Sequence, residues 1–463
     1  MTRRVVQLRE WESDHREFGL SLTDADRALA RALGDGAGRL GVTELADSLR
    51  LDATAWVGVV RFSEVEIQVV PKLVGENLGV LQMLEYSSGL GALARLDAAR
   101  TLATERDGSL VDLLALLLAE GSIRIAKQGI LHDYVTREES LAQVRGRLLV
   151  YEQATRRYGQ LQTLQCRFDE LETDIPENQL LAAGLAIAKR AANDREVRRL
   201  AARAHAIYSE VADPAASLID PPVFDYNRRN EHYRPAHMIA RMFIRNLAVN
   251  DLYAPGSGDS FAFLLDMNLL FEDFITRVLE DVFRDADVRV RPQVRDTTLI
   301  RDARTGRPYA AVIPDILLES GVDPVSQVPV DAKYKLYDER KIDQGDIYQT
   351  FFYAWAYADE EMVADAPAFI LYPGASGSSG VRLRAQARAA GRGASIRAVP
   401  VDVPALLAAI RVQEEVHIPE LSDAMRLIRL QAGSLTGEEL HGPLSVAIAP
   451  GAVRLHRAAR HSL

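Results

Sequence analysis

Pro314-Asp315, then Asp331-Ala332-Lys333, then Gln349-Thr350-Phe351-Phe352-Tyr353: these pieces of residues 314–353 decide how the chain is read. Asp315 stands among Ile313, Ile316 and Leu317. A charged side chain in such an apolar segment needs a partner. Residues 311–318 and 328–336 read as β-strands, being rich in β-branched and apolar side chains. Side chains alternate faces along a strand, so Asp331, Lys333 and Lys335 are expected on one face, opposite Val330, Ala332 and Tyr334. If the two strands pair, Asp315 and Asp331 converge. Two carboxylates about 4 Å apart repel by about 1 kcal/mol in water and by about 4 kcal/mol at an effective dielectric of 20. A divalent cation removes that repulsion, and all-oxygen ligands suit Mg²⁺, which keeps several of its waters. One such water is a candidate nucleophile. Lys333 is placed to orient it, to deprotonate it, or to neutralise charge on a phosphoryl transition state.

Two further elements extend the site. Residues 344–357 read as a helix in which Gln349 and Tyr353 are spaced i,i+4 and share a face. Glu272 lies in FLLDMNLLFEDFITRVLEDVF, read as a helix over about 262–284. Taking Leu265, Leu269 and Leu279 as its apolar row puts Glu272 inside that row, where a carboxylate needs a metal, a lysine or a hydrogen-bond partner. The expected site is therefore Lys333, Asp315, Asp331, Gln349 and Tyr353 as catalytic residues, with Asp315, Asp331 and Glu272 as metal ligands. Lysine usage supports it. Only Lys72, Lys127, Lys189, Lys333, Lys335 and Lys341 are lysine among 55 Lys and Arg residues. Three of the six fall within 333–341, where a compact ammonium differs from a guanidinium fork.

Around this segment the order helix, three strands, helix, strand places residues 256–440 in the α/β class, a mixed sheet flanked by helices. Strands are expected at 288–294, 368–372 and 396–401, with a helix at 403–412 and a flexible loop at 374–380. Residues 1–110 are expected to form a small β-rich domain, a barrel or sandwich. Its strands are read at 5–8, 54–62 and 65–70, and its short helix at 22–33 is capped by Ser21 or Thr23. Residues 111–255 read as a mainly helical connector, with helices at 113–119, 178–208 and 234–250. Residues 441–463 form a tail.

Bulk composition excludes much and decides little. The 463 residues suit two or three domains, and 48% hydrophobic with 26% charged residues is ordinary for a globular protein. A net charge of −10 argues against indiscriminate attraction to nucleic acid while leaving a local basic groove open. Cys166, the single cysteine, excludes an intramolecular disulfide and a multi-cysteine zinc site. No apolar run approaches the roughly 20 residues of a membrane helix, so a cytoplasmic chain is expected. No GxxxxGK[ST] occurs, so this chain is not expected to hydrolyse GTP or ATP by a P-loop. The nine histidines form no HExxH. Gly34-Asp35-Gly36-Ala37-Gly38 follows a helix, the wrong context for a dinucleotide loop.

The same residues carry a resemblance. VIPDILL (312–318), VDAKYK (330–335), DIYQTFFYAWAY (346–357) and FLLDMNLLFEDFI (263–275) resemble the PD-(D/E)xK nuclease superfamily. With GILHDYV (129–135), RGRL (145–148) and CRFDELETDIPENQLL (166–181), the chain is similar to the McrC-like subunits of modification-dependent, 5-methylcytosine-specific restriction systems. That resemblance implies a Mg²⁺-dependent DNA endonuclease working with a separate McrB-like AAA+ GTPase ring. The ring would recognise the modified duplex, and two nuclease copies would pair to cut both strands. It implies Asp315 and Asp331 as metal ligands, Lys333 as catalytic, and Gln349 and Tyr353 as supporting. Asp331 stands where many relatives carry Glu, which shortens the ligand arm. Two alternatives remain: a non-catalytic adaptor that activates the ring, or a defence or repair nuclease acting without it.

Overall fold

A computed structural model describes residues 4–17, 22–35, 38–45, 48–87, 109–159, 162–214, 221–246, 260–284, 288–320, 326–358, 365–375, 380–386 and 393–412. The tail expected at 441–463, and most of the loop expected at 374–380, lie outside them.

The chain opens with β1 (Arg4–Arg9), β2 (Ser13–Glu17), α1 (Asp24–Gly34), β3 (Leu40–Glu44), β4 (Ser48–Ala53), β5 (Trp56–Arg61) and β6 (Val65–Val70). Thr23 caps α1: its hydroxyl accepts the Asp26 amide while the Asp26 carboxylate accepts the Thr23 amide, a reciprocal pair that satisfies two orphan donors. The strands form two sheets, β2-β4-β3 and one containing β1-β6-β5. Leu8, Leu29, Leu33, Leu51, Val60 and Ile67 make the core that joins them to α1. Two sheets share one core here, and the second takes its fourth strand from residues 261–266, outside the 1–110 expected to form this domain.

The next segment holds α2 (Asn77–Ser87), α3 (Leu110–Gln128), β7 (Asp133–Leu141), β8 (Arg147–Leu148), α4 (Val150–Thr155), β9 (Leu164–Glu172), α5 (Pro176–Ala191), α6 (Arg195–Ser209) and α7 (Arg234–Asn246). Two expectations change here. The single helix over 178–208 is two. The Asp194 side chain caps α6 through the Glu196 and Val197 amides, and the buried Asp112 carboxylate takes the Asn193 and Asp194 amides. Those amides are satisfied by carboxylates, so the chain turns. The mainly helical connector also carries an antiparallel sheet, β7-β9-β8. Its alternation is weak because β7 is largely exposed. Cys166 in β9 is fully buried, as a small packed residue.

The last segment begins with β10 (Phe261–Asp266), α8 (Met267–Val282), β11 (Val288–Pro292), β12 (Asp296–Arg301), β13 (Pro308–Val312), β14 (Ile316–Ser320) and β15 (Ser326–Ala332). It closes with α9 (Gln344–Ala356), β16 (Ala366–Pro373), β17 (Val381–Gln386), β18 (Gly393–Val401) and α10 (Val403–Val412). The helix expected from 262 starts at Met267, because 261–266 is a strand antiparallel to β5 in the N-terminal sheet. Phe261, Phe263 and Leu265 enter one core while Ala262 and Leu264 enter the other. A run buried on both sides shows no period by which to tell strand from helix. Gly58 is paired with Leu264, and a side chain there would collide with the Phe263 carbonyl.

The main sheet has the order β11-β14-β15-β16-β18-β17. Its outer pairs are antiparallel, while β15-β16 and β16-β18 are parallel. This is the mixed sheet flanked by helices. On one face, Val330, Phe369, Leu371 and Val399 join Phe271 and Phe274 of α8 in a core that also includes α3, α5 and α7. On the other, Ile370, Tyr372 and Ile396 pack with Ile347 and Phe351 of α9.

Candidate active site

The strand expected over 311–318 breaks at Ile313-Pro314-Asp315. Upstream, β13 pairs only with β12 in a separate two-stranded ribbon; downstream, β14 joins the main sheet between β11 and β15. Pro314 has no N–H to give a ladder. Asp315 thus sits at the mouth of β14, with its carbonyl accepting the Gln293 amide at 2.9 Å. The register pairs Ile316 with Val330. One step further sets Asp315 beside Asp331, as pairing of the two segments requires.

The second strand ends at Ala332 rather than 336. One more ladder bond, Lys333 N–H to the Leu371 carbonyl at 2.8 Å, carries the extended chain through Lys333, and tight turns follow. Alternation therefore holds for the pair that matters. Lys333 Nζ lies 2.9 Å from Asp331 Oδ2 and 4.0 Å from Asp315 Oδ2. Lys335 departs from the group, pairing with Asp343 at 2.9 Å and Asp346 at 2.6 Å, because the strand has ended. Asp346 is further engaged by the Tyr337 hydroxyl.

Asp331 is 1% exposed, and neither carboxylate oxygen accepts a well-aligned hydrogen bond. Lys333, 2.9 Å from Oδ2, offsets its charge. Burial, then the Asp315 charge, pushes the Asp331 carboxyl up to about 7. Asp315 is also raised, chiefly by burial, although its Oδ2 accepts the Ala332 amide at 2.9 Å. Burial works against the Lys333 ammonium, but Asp331 and Asp315 outweigh it and hold its pKa above the ordinary lysine value.

Gln349 and Tyr353 of α9 form the supporting layer. Gln349 Nε2 donates to the Tyr353 hydroxyl at 2.8 Å, and that hydroxyl donates to the Ile313 carbonyl at 3.0 Å. Tyr353 is buried against Val312 and Leu317. The two residues therefore fix the bend that presents Asp315.

Glu272 does not lie within the apolar row expected for it. Leu265 belongs to β10, and Leu269 is 61% exposed. The buried stripe of α8 is Leu270, Phe271, Phe274, Ile275, Val278 and Leu279, and Glu272 lies half-buried at its edge. Its carboxylate accepts a hydrogen bond from Gln293. Burial raises its pKa, and it feels the Lys333 and Asp331 charges. Among the described residues, no three His, Cys, Asp or Glu side chains are gathered closely enough to hold a metal ion. The close group is Asp315, Asp331 and Lys333, with Glu272 outside it.

Gln293 is the site residue the sequence reading missed. It adopts φ of 50°, a left-handed conformation uncommon for a non-glycine residue. From that position its backbone holds Asp315 and its side chain holds Glu272. Only the preceding Pro292, ending β11, hints at a turn there.

Asp315 and Asp331 are two oxygen donors of the kind Mg²⁺ takes, and an ion there would draw its remaining ligands from water. Asp331 presents a buried carboxylate with no hydrogen bond, Asp315 keeps its Oδ1 outside the Ala332 bond, and all candidate ligands are oxygens. A cleft of about 500 Å³ lined by Leu117, Arg124, His232 and Ile239 contains none of these residues.

The sequence pattern of the McrBC 5-methylcytosine restriction system component family matches residues 51–373. A chain of the half-complex from the tetradecameric assembly of Thermococcus gammatolerans McrB AAA+ hexamers with bound McrC is similar in fold. It has a TM-score of 0.53 and 17% identity over 86% of this chain and 95% of that one. A chain of the cryo-EM structure of the Thermococcus gammatolerans McrBC complex aligns with a TM-score of 0.42 and 22% identity, covering 59% of this chain and 87% of that one. No curated protein matches. No helix among the described residues is long and apolar enough to cross a membrane.

Proposed function

The chain belongs to the McrBC 5-methylcytosine restriction system component family, and from that premise we propose that it is the Mg²⁺-dependent DNA endonuclease subunit of a modification-dependent restriction complex. The observation that carries this reading is the buried Asp331 carboxylate, its Oδ1 without a partner and its Oδ2 beside Lys333, with Asp315 flanking both. Two buried carboxylates share the single Lys333 ammonium, and the negative charge left over costs stability unless a further cation meets it.

Asp331 and Asp315 would hold the metal, which supplies a Lewis acid and an activated water when bound. Lys333 is placed to stabilise negative charge as it builds on the phosphoryl oxygens. Tyr353 and Gln349 keep Asp315 in place through the Ile313 carbonyl. Gln293 holds the same bend from the other side.

With no P-loop of its own, the chain is inferred to dock on an McrB-like AAA+ GTPase ring, as McrC does in the Thermococcus gammatolerans assembly. The ring would select 5-methylcytosine-containing duplex, and two nuclease copies would meet to cut both strands. A purely adaptor role is disfavoured because Asp315, Asp331 and Lys333 are all retained.

The test is cleavage of methylated and unmethylated plasmid by the full chain with its ring partner and Mg²⁺. Methylated plasmid should be cut, and Lys333→Ala should lower the rate about 10²–10³-fold while fold and ring binding persist. Cutting by Lys333→Ala at the wild-type rate would remove the assignment.

A further inference from the structure

Glu10 is a buried carboxylate that the cleavage chemistry does not use. It follows β1 in the N-terminal sandwich and is 1% exposed. Its Oε2 accepts the Lys72 amide at 2.7 Å and the Tyr334 hydroxyl at 2.8 Å. Tyr334, also 1% exposed, immediately follows Lys333. Its ring packs on Phe271, which precedes Glu272, with centroids 5.7 Å apart. Nearby, Lys72 Nζ reaches Glu339 at 2.9 Å.

The place of this contact gives it meaning. Lys333 donates the last main-sheet bond of its segment. Beyond it, short turns from Lys335 to Lys333 and from Tyr337 to Lys335 replace the ladder. The chain leaving the cleavage centre is thus anchored by side chains. At Tyr334 the anchor is a carboxylate 324 positions away in sequence.

We propose that Glu10 is a positioning residue for the cleavage centre, acting through Tyr334 to hold Lys333 in register, so that DNA cutting depends on how the N-terminal sandwich is seated. This rests on the nuclease reading above. It adds that the sandwich, whatever else binds it, is part of the cleavage apparatus. Burial raises the Glu10 carboxyl to about 7, as expected of a group kept for a specific contact and not for solvation.

The experiment uses the full chain with its ring partner, 5-methylcytosine-containing duplex and Mg²⁺. Tyr334→Phe keeps the ring packed on Phe271 and removes only the hydroxyl. It should lower kcat about tenfold and leave the KM for DNA and the stimulation of ring GTPase unchanged. Glu10→Gln retains an acceptor and should cut within about twofold of wild type, whereas Glu10→Leu should match Tyr334→Phe. The Glu10→Leu/Tyr334→Phe double variant should be no worse than either, because both remove one interaction. If Glu10→Leu does not fold, Tyr334→Phe and Glu10→Gln still decide.

A folded Tyr334→Phe protein that cuts at the wild-type rate overturns the proposal. So does Glu10→Gln as damaged as Glu10→Leu, or loss of GTPase stimulation in step with cleavage. A wild-type chain that cuts nothing would remove the nuclease reading and this inference together. An active wild type with an unaffected Tyr334→Phe removes the inference alone.

Discussion

Lys333 Nζ stands 2.9 Å from Asp331 Oδ2, yet Asp331 accepts no well-aligned hydrogen bond. The ammonium therefore engages Oδ2 by charge and leaves Oδ1 without a partner. A carboxylate held only as a partner for lysine would be expected to be hydrogen-bonded as well.

Asp331→Asn should stabilise the metal-free protein near neutral pH while abolishing cleavage. The folded-state pKa of Asp331, about 7, lies above the ordinary carboxylate value. Between about pH 4 and pH 7 the folded state holds a proton that the unfolded state has lost. Its contribution to stability is present at low pH and lost as pH rises through that window. Thermal unfolding of wild type and variant across pH 5–8 checks this: the wild-type slope should flatten in Asp331→Asn. Glu10, likewise raised to about 7, keeps part of the slope in Asp331→Asn, and an unchanged slope would show that Asp331 contributes none of it.

Mg²⁺ should raise the melting temperature of the wild type, and by more at pH 8 than at pH 5.5. A ligand that binds only the folded state stabilises it by mass action, and protons compete for the same carboxylates. Scanning calorimetry with and without millimolar Mg²⁺ measures it. Asp331→Asn should lose most of the shift, and EDTA should reverse it in the wild type.

Tyr353→Phe removes the donor to the Ile313 carbonyl and the acceptor of Gln349. The expected cost is about 1 kcal/mol of stability, the usual net value of a buried hydrogen bond. Cleavage should fall about tenfold because the Asp315 bend loosens. Denaturant unfolding and cleavage rates at saturating Mg²⁺ test the two effects separately. Gln349→Ala should act in the same direction and more weakly.

Glu272→Gln separates two roles for that residue. If Glu272 approaches the metal when the site is loaded, the variant should need several-fold more Mg²⁺ for half-maximal cleavage, with kcat reduced less than in Asp331→Asn. If it serves only to hold Gln293, the glutamine amide preserves the contact and the Mg²⁺ titration should overlay the wild type.

Particular residues show what could be read in advance. Asp331 and Lys333 were legible because strand alternation is a two-residue rule that survives to the last ladder bond. A cap at Ser21 or Thr23 is legible because it is built from groups a few positions apart, and the reciprocal bonds with Asp26 decide for Thr23. Residues 261–266 were misread because a segment buried on both faces has no periodicity. A stripe that runs across Asp266, where strand gives way to helix, puts Glu272 on the apolar face, whereas the helix itself sets it at the edge of its buried stripe.

The sequence by itself determined what rests on local interactions: a cap of α1 at Ser21 or Thr23, the helix that carries Gln349 and Tyr353, and the placing of Asp331 and Lys333 on one face. Only the tertiary structure decided that Phe261–Asp266 completes the N-terminal sheet, that Gln293 joins Asp315 to Glu272, and that Glu10 receives the Tyr334 hydroxyl. The physical reason is range. Backbone geometry fixes where neighbouring side chains point, whereas contacts between distant segments depend on how whole layers close over a shared core.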